Sequence, residues 1–261
     1  MPMTRTLRNE ALSLLLESDP ARKAAGALAL DLELPMDAAR EILEPPGIPG
    51  RPARPVLVPH AQIRQRGVGT IEGRAALVHA IAHIELNAID LALDAVWRFA
   101  GLPDSFYRDW AGVAREEALH FTLLRDHLHR LGYAYGDFPA HAALWEMAER
   151  TRGDVLARIA LVPRTLEARG LDASPAVKAK LLGAGDAAGA AIIDRILHDE
   201  IGHVAIGNRW FRWLCDRRGL DPVETYAELA AHHAAPRPRG PFNIEARRAA
   251  GFSEAELARL G

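Results

Sequence analysis

The chain has 261 residues, 49% of them apolar and 25% charged, the composition of an ordinary globular protein with enough length to bury a sizeable core. Lys and Arg number 32 against 34 Asp and Glu, so the formal charge of −2 offers no overall field for nucleic acid or an anionic membrane. One cysteine, Cys215, excludes an internal disulfide framework, a cysteine-based zinc site and an iron–sulfur cluster held within one chain, and leaves 11 histidines and many carboxylates as the available ligands.

The first twenty residues carry only a short apolar patch, Leu12–Leu16, interrupted by Ser13 and closed by Glu17, which is too short and too charged for a signal peptide. No window reaches the roughly 18 uninterrupted apolar residues of a spanning helix, so the expectation is a soluble, cytoplasmic protein. Residues 1–46 read as two or three short helices, with Leu7, Leu12, Leu15 and Leu16 on one stripe and Pro20 opening a second helix toward Leu30. Pro45-Pro46 ends that section, and residues 47–60 hold Gly47, Pro49, Gly50, Pro52, Pro55 and Pro59, an extended connector.

From Gly73 the spacing becomes helical. Residues 74–100, 104–131, 142–169 and 175–215 are rich in Ala, Leu, Arg and Glu, with apolar stripes such as Ile81, Ile84, Ala88, Leu91 and Ala95. Gly101–Asp104 and Gly132–Pro139 punctuate the first two breaks, and Gly170–Pro175 the third, with Ser174 expected as N-cap and Pro175 as the first helical residue. Strand-type alternation is missing. The fold class is therefore all-α. The expected architecture is a four-helix bundle over 73–216, preceded by a helical extension with a Pro-rich connector over 1–72 and followed by a C-terminal extension, 217–261, packing on the bundle. In the tail, Ser253 and Glu256 have the spacing of a capping box.

Two Glu-x-x-His motifs occur, Glu117–His120 and Glu200–His203. On a helix, positions i and i+3 share a face, so each motif aims a carboxylate and an imidazole at one point. With 18 glutamates and 11 histidines such a pair arises readily by chance; position makes these two specific. They fall in the second and fourth bundle helices, with Glu85 in the first and Glu167 late in the third. Glu117 follows Glu85 by 32 residues and Glu200 follows Glu167 by 33, so each helical pair repeats one Glu followed by one Glu-x-x-His. Four carboxylates and two imidazoles without sulfur form the ligand pattern of di-iron and di-manganese bundles. An acid precedes each motif, Glu116 and Asp199, placed to accept the second N–H of a ligating histidine or else to pair with an arginine one turn away.

Other residues carry weaker signals. His79 and His83, at i and i+4, lack evident acidic partners and read as core or surface histidines; Tyr107, Tyr133, Tyr135 and Trp210 are the aromatics to check for electron transfer; Pro163, four residues before Glu167, predicts a helix irregularity. No phosphate loop, nucleotide fingerprint or serine-nucleophile context is present.

The runs His83–Ile89, Leu161–Asp172 and Asp199–Val204, together with Gly240–Arg247 and Ala250-Gly-Phe252 in the tail, resemble the DUF455 family of the ferritin-like superfamily over nearly the whole chain. The resemblance implies a ferritin-like bundle with a carboxylate-bridged di-iron site, in which Glu117 and Glu200 bridge the metals, Glu85 and Glu167 are terminal ligands, and His120 and His203 complete one metal each. Among relatives of known role it points toward tRNA-modifying di-iron hydroxylases.

The expected activity is that of an O2-activating oxygenase or oxidase acting on an organic substrate, with two iron ions (manganese or a mixed pair as alternatives) and an external electron donor. A ferroxidase, peroxidase or iron-handling role is the second reading; about 70 residues before the bundle and nearly 50 after it favour an enzyme. A tRNA-modifying hydroxylase is the third. Arg51, Arg54, Arg64, Arg66 and Arg74 face Glu72 alone within residues 45–84, with Arg237, Arg239, Arg247 and Arg248 in the tail, yet residues 75–204 are net acidic and no aromatic-interleaved basic strip appears. The sequence leaves a homodimer open.

Overall fold

The structure is a computed structural model that describes residues 5–64 and 66–260; residues 1–4, at the head of the expected N-terminal extension, lie outside the described residues. Among them the protein is all-helical and divides into two compact units, residues 1–142 and 143–261.

The first unit holds α1 (Leu7–Leu16), α2 (Pro20–Leu28), α3 (Ile71–Arg98) and α4 (Asp104–Arg130). Each of the first three starts where a side-chain oxygen accepts an otherwise orphaned amide: Thr6 from Asn9, Asp19 from Arg22, with Pro20 in the first turn, and Thr70 from Gly73. α3 and α4 form a hairpin whose five-residue link turns at Gly101, φ +76°. Against α3 and α4 pack the two short N-terminal helices. The guanidinium of buried Arg8 clamps this arrangement, donating to the carbonyls of Asp37 and Trp97 at 2.9 and 2.7 Å, the latter at the C-terminal end of α3 where carbonyls need donors. The Pro-rich connector lies within this unit and pairs with the loop after α4, Val58 N–H to Ala140 O at 2.8 Å and Ala140 N–H to Val56 O at 3.0 Å.

α3 is long and apolar enough to cross a bilayer by those criteria alone, with mean hydropathy 1.4 in its richest window. Two-thirds of that window is buried, and Glu85, Asn87, Asp90 and Asp94 are buried along the helix, so α3 serves as the core helix of its unit.

Asp90 and Lys23 make a buried ion pair between α2 and α3. Lys23 Nζ donates to the Asp90 carboxylate and, at 3.0 Å, to the carbonyl of Gly50. Both side chains are almost wholly excluded from water. Burial lifts the Asp90 carboxyl to about 6, against the pull of the Lys23 ammonium.

The second unit holds α5 (Ala143–Arg150), α6 (Val155–Leu161), a wide π turn over Val162–Glu167, α7 (Ala168–Gly183), α8 (Ala187–Arg218), α9 (Pro222–His232), α10 (Ile244–Ala249) and α11 (Glu254–Ala258). The helix boundaries here correct the sequence-based expectation. Ser174 and Pro175 do not start a helix: both lie inside α7, where the Ser174 hydroxyl donates to the Gly170 carbonyl at 2.7 Å. Pro175 leaves the carbonyl of Leu171 without its helical donor, and the Asn243 side chain supplies one at 3.3 Å. The fourth long helix instead begins after Gly185, φ +77°, with Asp186 accepting the Gly189 amide. The capping box at Ser253 and Glu256 is present.

Pro163 marks the predicted irregularity, and it takes the form of the π turn. Thr165 Oγ1 donates five residues back to the carbonyl of Ala160 at 2.9 Å. A Cβ on Gly207 of α8 would come within 2.8 Å of Pro163 Cβ, so only glycine lets the turn pack this closely. The turn is held from its other side by Arg164, which donates to Asn208 Oδ1, pairs with Glu256 of α11 and lies over the ring of Phe211 at 4.3 Å.

Replacing one partner of a buried ion pair strands the other charge. Lys23→Met should therefore destabilise the protein by about 3–5 kcal/mol, read as a lowered Tm or urea midpoint. A change below about 1 kcal/mol would show that the pair contributes no such constraint.

Candidate metal centre

In the first unit the sequence-selected residues Glu85, Glu117 and His120 converge. Glu85 comes from α3, while Glu117 and His120, one turn apart, share a face of α4. They are 6, 1 and 0% exposed. His120 Nδ1 lies 3.2 Å from Glu85 Oε2 and 3.3 Å from Glu117 Oε2, and the three ligand atoms fall within 4.8 Å of one another.

The second unit repeats the motif on α8, where His203 Nδ1 lies 3.1 Å from Glu200 Oε2 and both residues are buried. Gly170 of α7 backs onto Glu200: a Cβ there would touch its Cγ and Oε1 at 3.5 Å. Glu167, at the end of the π turn, is one helical turn before Gly170 and shares its face, which places it on the side of α7 that meets Glu200. Its Oε2 is buried.

Buried carboxylates and imidazoles without compensation are costly, and the protonation pattern shows how this group responds. Burial, reinforced by the negative charge of Glu117, drives the Glu85 carboxyl well above the ordinary carboxylate range. Burial alone would strip His120 of its proton, but hydrogen bonds to Glu117 and Glu85 and their charges prevail and lift it to about 11. Without a cation the group holds protons that substitute for one. A divalent cation fits the same donors: carboxylate oxygens and imidazole nitrogen, with no thiolate, suit iron or manganese. Cys215 lies apart in this chemistry, its buried thiol pushed up to about 11 and so kept protonated.

The acids preceding the motifs differ. Asp199 pairs with Arg195 one turn back on α8, the alternative considered for it, and Glu116 sits on the exposed side of α4. His79 and His83 organise a loop. His79 Nε2 accepts the Gly136 amide at 2.9 Å, and His83 bonds the Tyr135 hydroxyl through Nδ1 at 2.8 Å and the His141 carbonyl through Nε2 at 3.0 Å. Burial lowers both imidazoles to about 4, so they are neutral. Tyr107 is a core residue whose hydroxyl donates to the Phe99 carbonyl, and Trp210 packs edge-on against Trp213. Tyr135 contacts the ring of Phe121, the residue after His120, with centroids 5.2 Å apart. Gly170, Gly207 and Arg164 were missed from sequence; a glycine in mid-helix is the one signal that could have flagged the first two.

These features define an all-helical protein with a buried carboxylate–imidazole group in each of its units. Residues 16–258 match the family model described as "Protein of unknown function (DUF455)", and the chain belongs to that family. A relative from Haemophilus influenzae, described as an uncharacterized protein, is 49% identical over 224 residues, covering 83% of this chain and 78% of its own. No solved structure matches.

Metal competes with protons at this group. Adding Fe(II) or Mn(II) to metal-free protein in weak buffer at pH 7 should release protons on binding. Apparent affinity should fall steadily as the pH is lowered. Affinity independent of pH between about 6 and 8 would contradict the assignment.

Proposed function

We propose that the protein is a non-haem di-iron oxidoreductase of ferritin-like type, an oxygenase or oxidase that uses O2 on an organic substrate and draws electrons from an external donor. The observation that carries this reading is the convergence of Glu85, Glu117 and His120, all buried, on one point in the first unit. The second unit supplies Glu167, Glu200 and His203, with Glu200 and His203 in the same local geometry. Pairing the two sets into one dinuclear centre rests on their repeated order and spacing in the sequence. Iron is favoured by the reading, with manganese or a mixed pair compatible with the same donors.

Bound ions of this kind would supply the redox chemistry of O2 activation. The chain's own residues have separable tasks. Glu85 and Glu117 would offer carboxylate oxygens; His120 would offer Nδ1, the nitrogen that faces both. The buried faces of α3 and α4 exclude water around them, with Phe121, Leu124 and Ala118 fully buried beside the motif. Gly170 keeps space for the Glu200 side chain, and the π turn sets the face on which Glu167 emerges.

Glu117→Ala and Glu200→Ala should each cut iron loading by more than about 100-fold in affinity, beyond the 10–100-fold typical of residues that only orient a ligand. Elemental analysis of protein from iron-replete cells reads the loss, and O2 uptake by Fe(II)-loaded wild type reads the activity. Full iron content in both variants would remove the site. Iron loading without O2 uptake would remove the oxygenase reading and leave a metal-binding protein.

A further inference from the structure

α3 has a second functional face. His83, Leu86, Asn87 and Asp90 form a stripe at helical spacing that lines a half-open cleft, while Glu85 lies about 200° round the helix from His83 and faces elsewhere. The cleft is closed by Gly50, Arg51, Pro52, Pro55 and Leu57 of the connector and by Tyr135.

Its polar groups sort into two poles. At the inner pole, Asp90 binds Lys23 through Oδ1, and Oδ2 takes no hydrogen bond from the described residues. Asn87 turns its Nδ2 to the His83 carbonyl at 2.7 Å and to His83 Nε2 at 3.1 Å, which leaves Oδ1 as a second acceptor without a described donor. Both residues are more than nine-tenths buried. At the outer pole stands the exposed guanidinium of Arg51, which makes no hydrogen bond or ion pair with the described residues. Its charge reaches the inner groups, holding down the proton affinity of both Asp90 and His83. The wall between the poles is fixed. His83 Nε2 faces the His141 carbonyl at 3.0 Å and Asn87 Nδ2 at 3.1 Å, and Nδ1 meets the Tyr135 hydroxyl at 2.8 Å, so the ring is held on both edges. Pro52, Pro55, Leu57 and Leu86 supply apolar surface.

We infer that this cleft binds a small aliphatic α-amino acid, with its ammonium on Asp90 Oδ2 and Asn87 Oδ1, its carboxylate on Arg51 and its side chain against the proline-lined wall. An amine alone would leave Arg51 unmatched, and a carboxylate alone would face the two inner acceptors. A zwitterion carries one group for each pole. The cleft is separate from the carboxylate–imidazole group, so the inference does not rest on the metal reading.

The test is calorimetric titration at pH 7.5 with L-valine and L-alanine, set against isovalerate and isobutylamine, which each lack one charged group. Saturable binding of an amino acid is expected, weaker by about tenfold or more for each half-molecule. Arg51→Ala, a change at an exposed side chain, should weaken amino-acid binding by a similar factor while leaving isobutylamine unaffected. Asp90→Asn should weaken the amine-bearing ligands; should that variant fold poorly, the half-molecules and Arg51→Ala carry the comparison. Amide shifts in NMR should map to residues 51, 87 and 90, before and after treatment with a chelator. Absence of saturable binding by all twenty amino acids would overturn the inference. So would equal affinity for isovalerate and L-valine, or binding unchanged in Arg51→Ala.

Discussion

The desolvation of charge along the long helices is the constraint on which the rest depends. Glu85, Glu117, Glu200 and Asp90 lie on the buried faces of long helices, and each is brought out of water by the packing that stabilises its unit. A buried carboxylate must acquire a proton, a cation or a hydrogen-bond donor. The first unit uses two of these solutions on one helix. Asp90 takes a lysine, a permanent cation from α2. Among the described residues Glu85 pairs with a histidine and another glutamate, and the group is left to a proton or an exchangeable ion. The same helix thus carries a built-in counter-charge on one side and an exchangeable one on the other.

Fixed and exchangeable compensation have different structural demands. The Lys23–Asp90 pair also ties down Gly50, so a charge interaction orders the connector that an aperiodic, proline-rich sequence would not order by itself. The Glu–His groups need instead that helices approach closely at the right rotation. Gly170 serves that need for Glu200, and Gly207 serves it for the turn that precedes Glu167. Arg164 joins that turn to Asn208 of α8 and Glu256 of α11, and Asn208 donates onward to the Ala250 carbonyl at 2.8 Å. The small residues set the distance, and the polar clamp holds it.

The helical class and the placement of Glu and His on α3, α4 and α8 were legible because amphipathic spacing and the Glu-x-x-His pattern are local properties of the chain. Glu85, Glu117 and His120 could be chosen by offset alone, and the structure brings those three together. The third helical segment was less legible for a physical reason. Gly170, Ser174 and Pro175 carry strong breaker and cap signals, but the side chain of Asn243, 72 residues from Leu171, supplies the donor that lets the helix continue. No local rule could foresee a partner from the tail. Nor could spacing reveal the cleft beside Asp90, which exists because the connector, the loop after α4 and α3 meet in three dimensions.

The π turn has a consequence for how this chain tolerates change in length. A π turn fits one residue more than an α-helical turn of the same rise, so it acts as a phase shifter between α6 and α7. The side chains before it and after it keep separate rotational registers, one anchored by the buried face of α6 and the other by Glu167 and Gly170. Straightening the turn into continuous α-helix at unchanged length would swing everything on one side by about 100°, and Glu167 would turn with that side relative to α6. Removing one residue as the turn straightens would instead keep both registers, so the segment accepts the loss of a single residue better than a regular helix would.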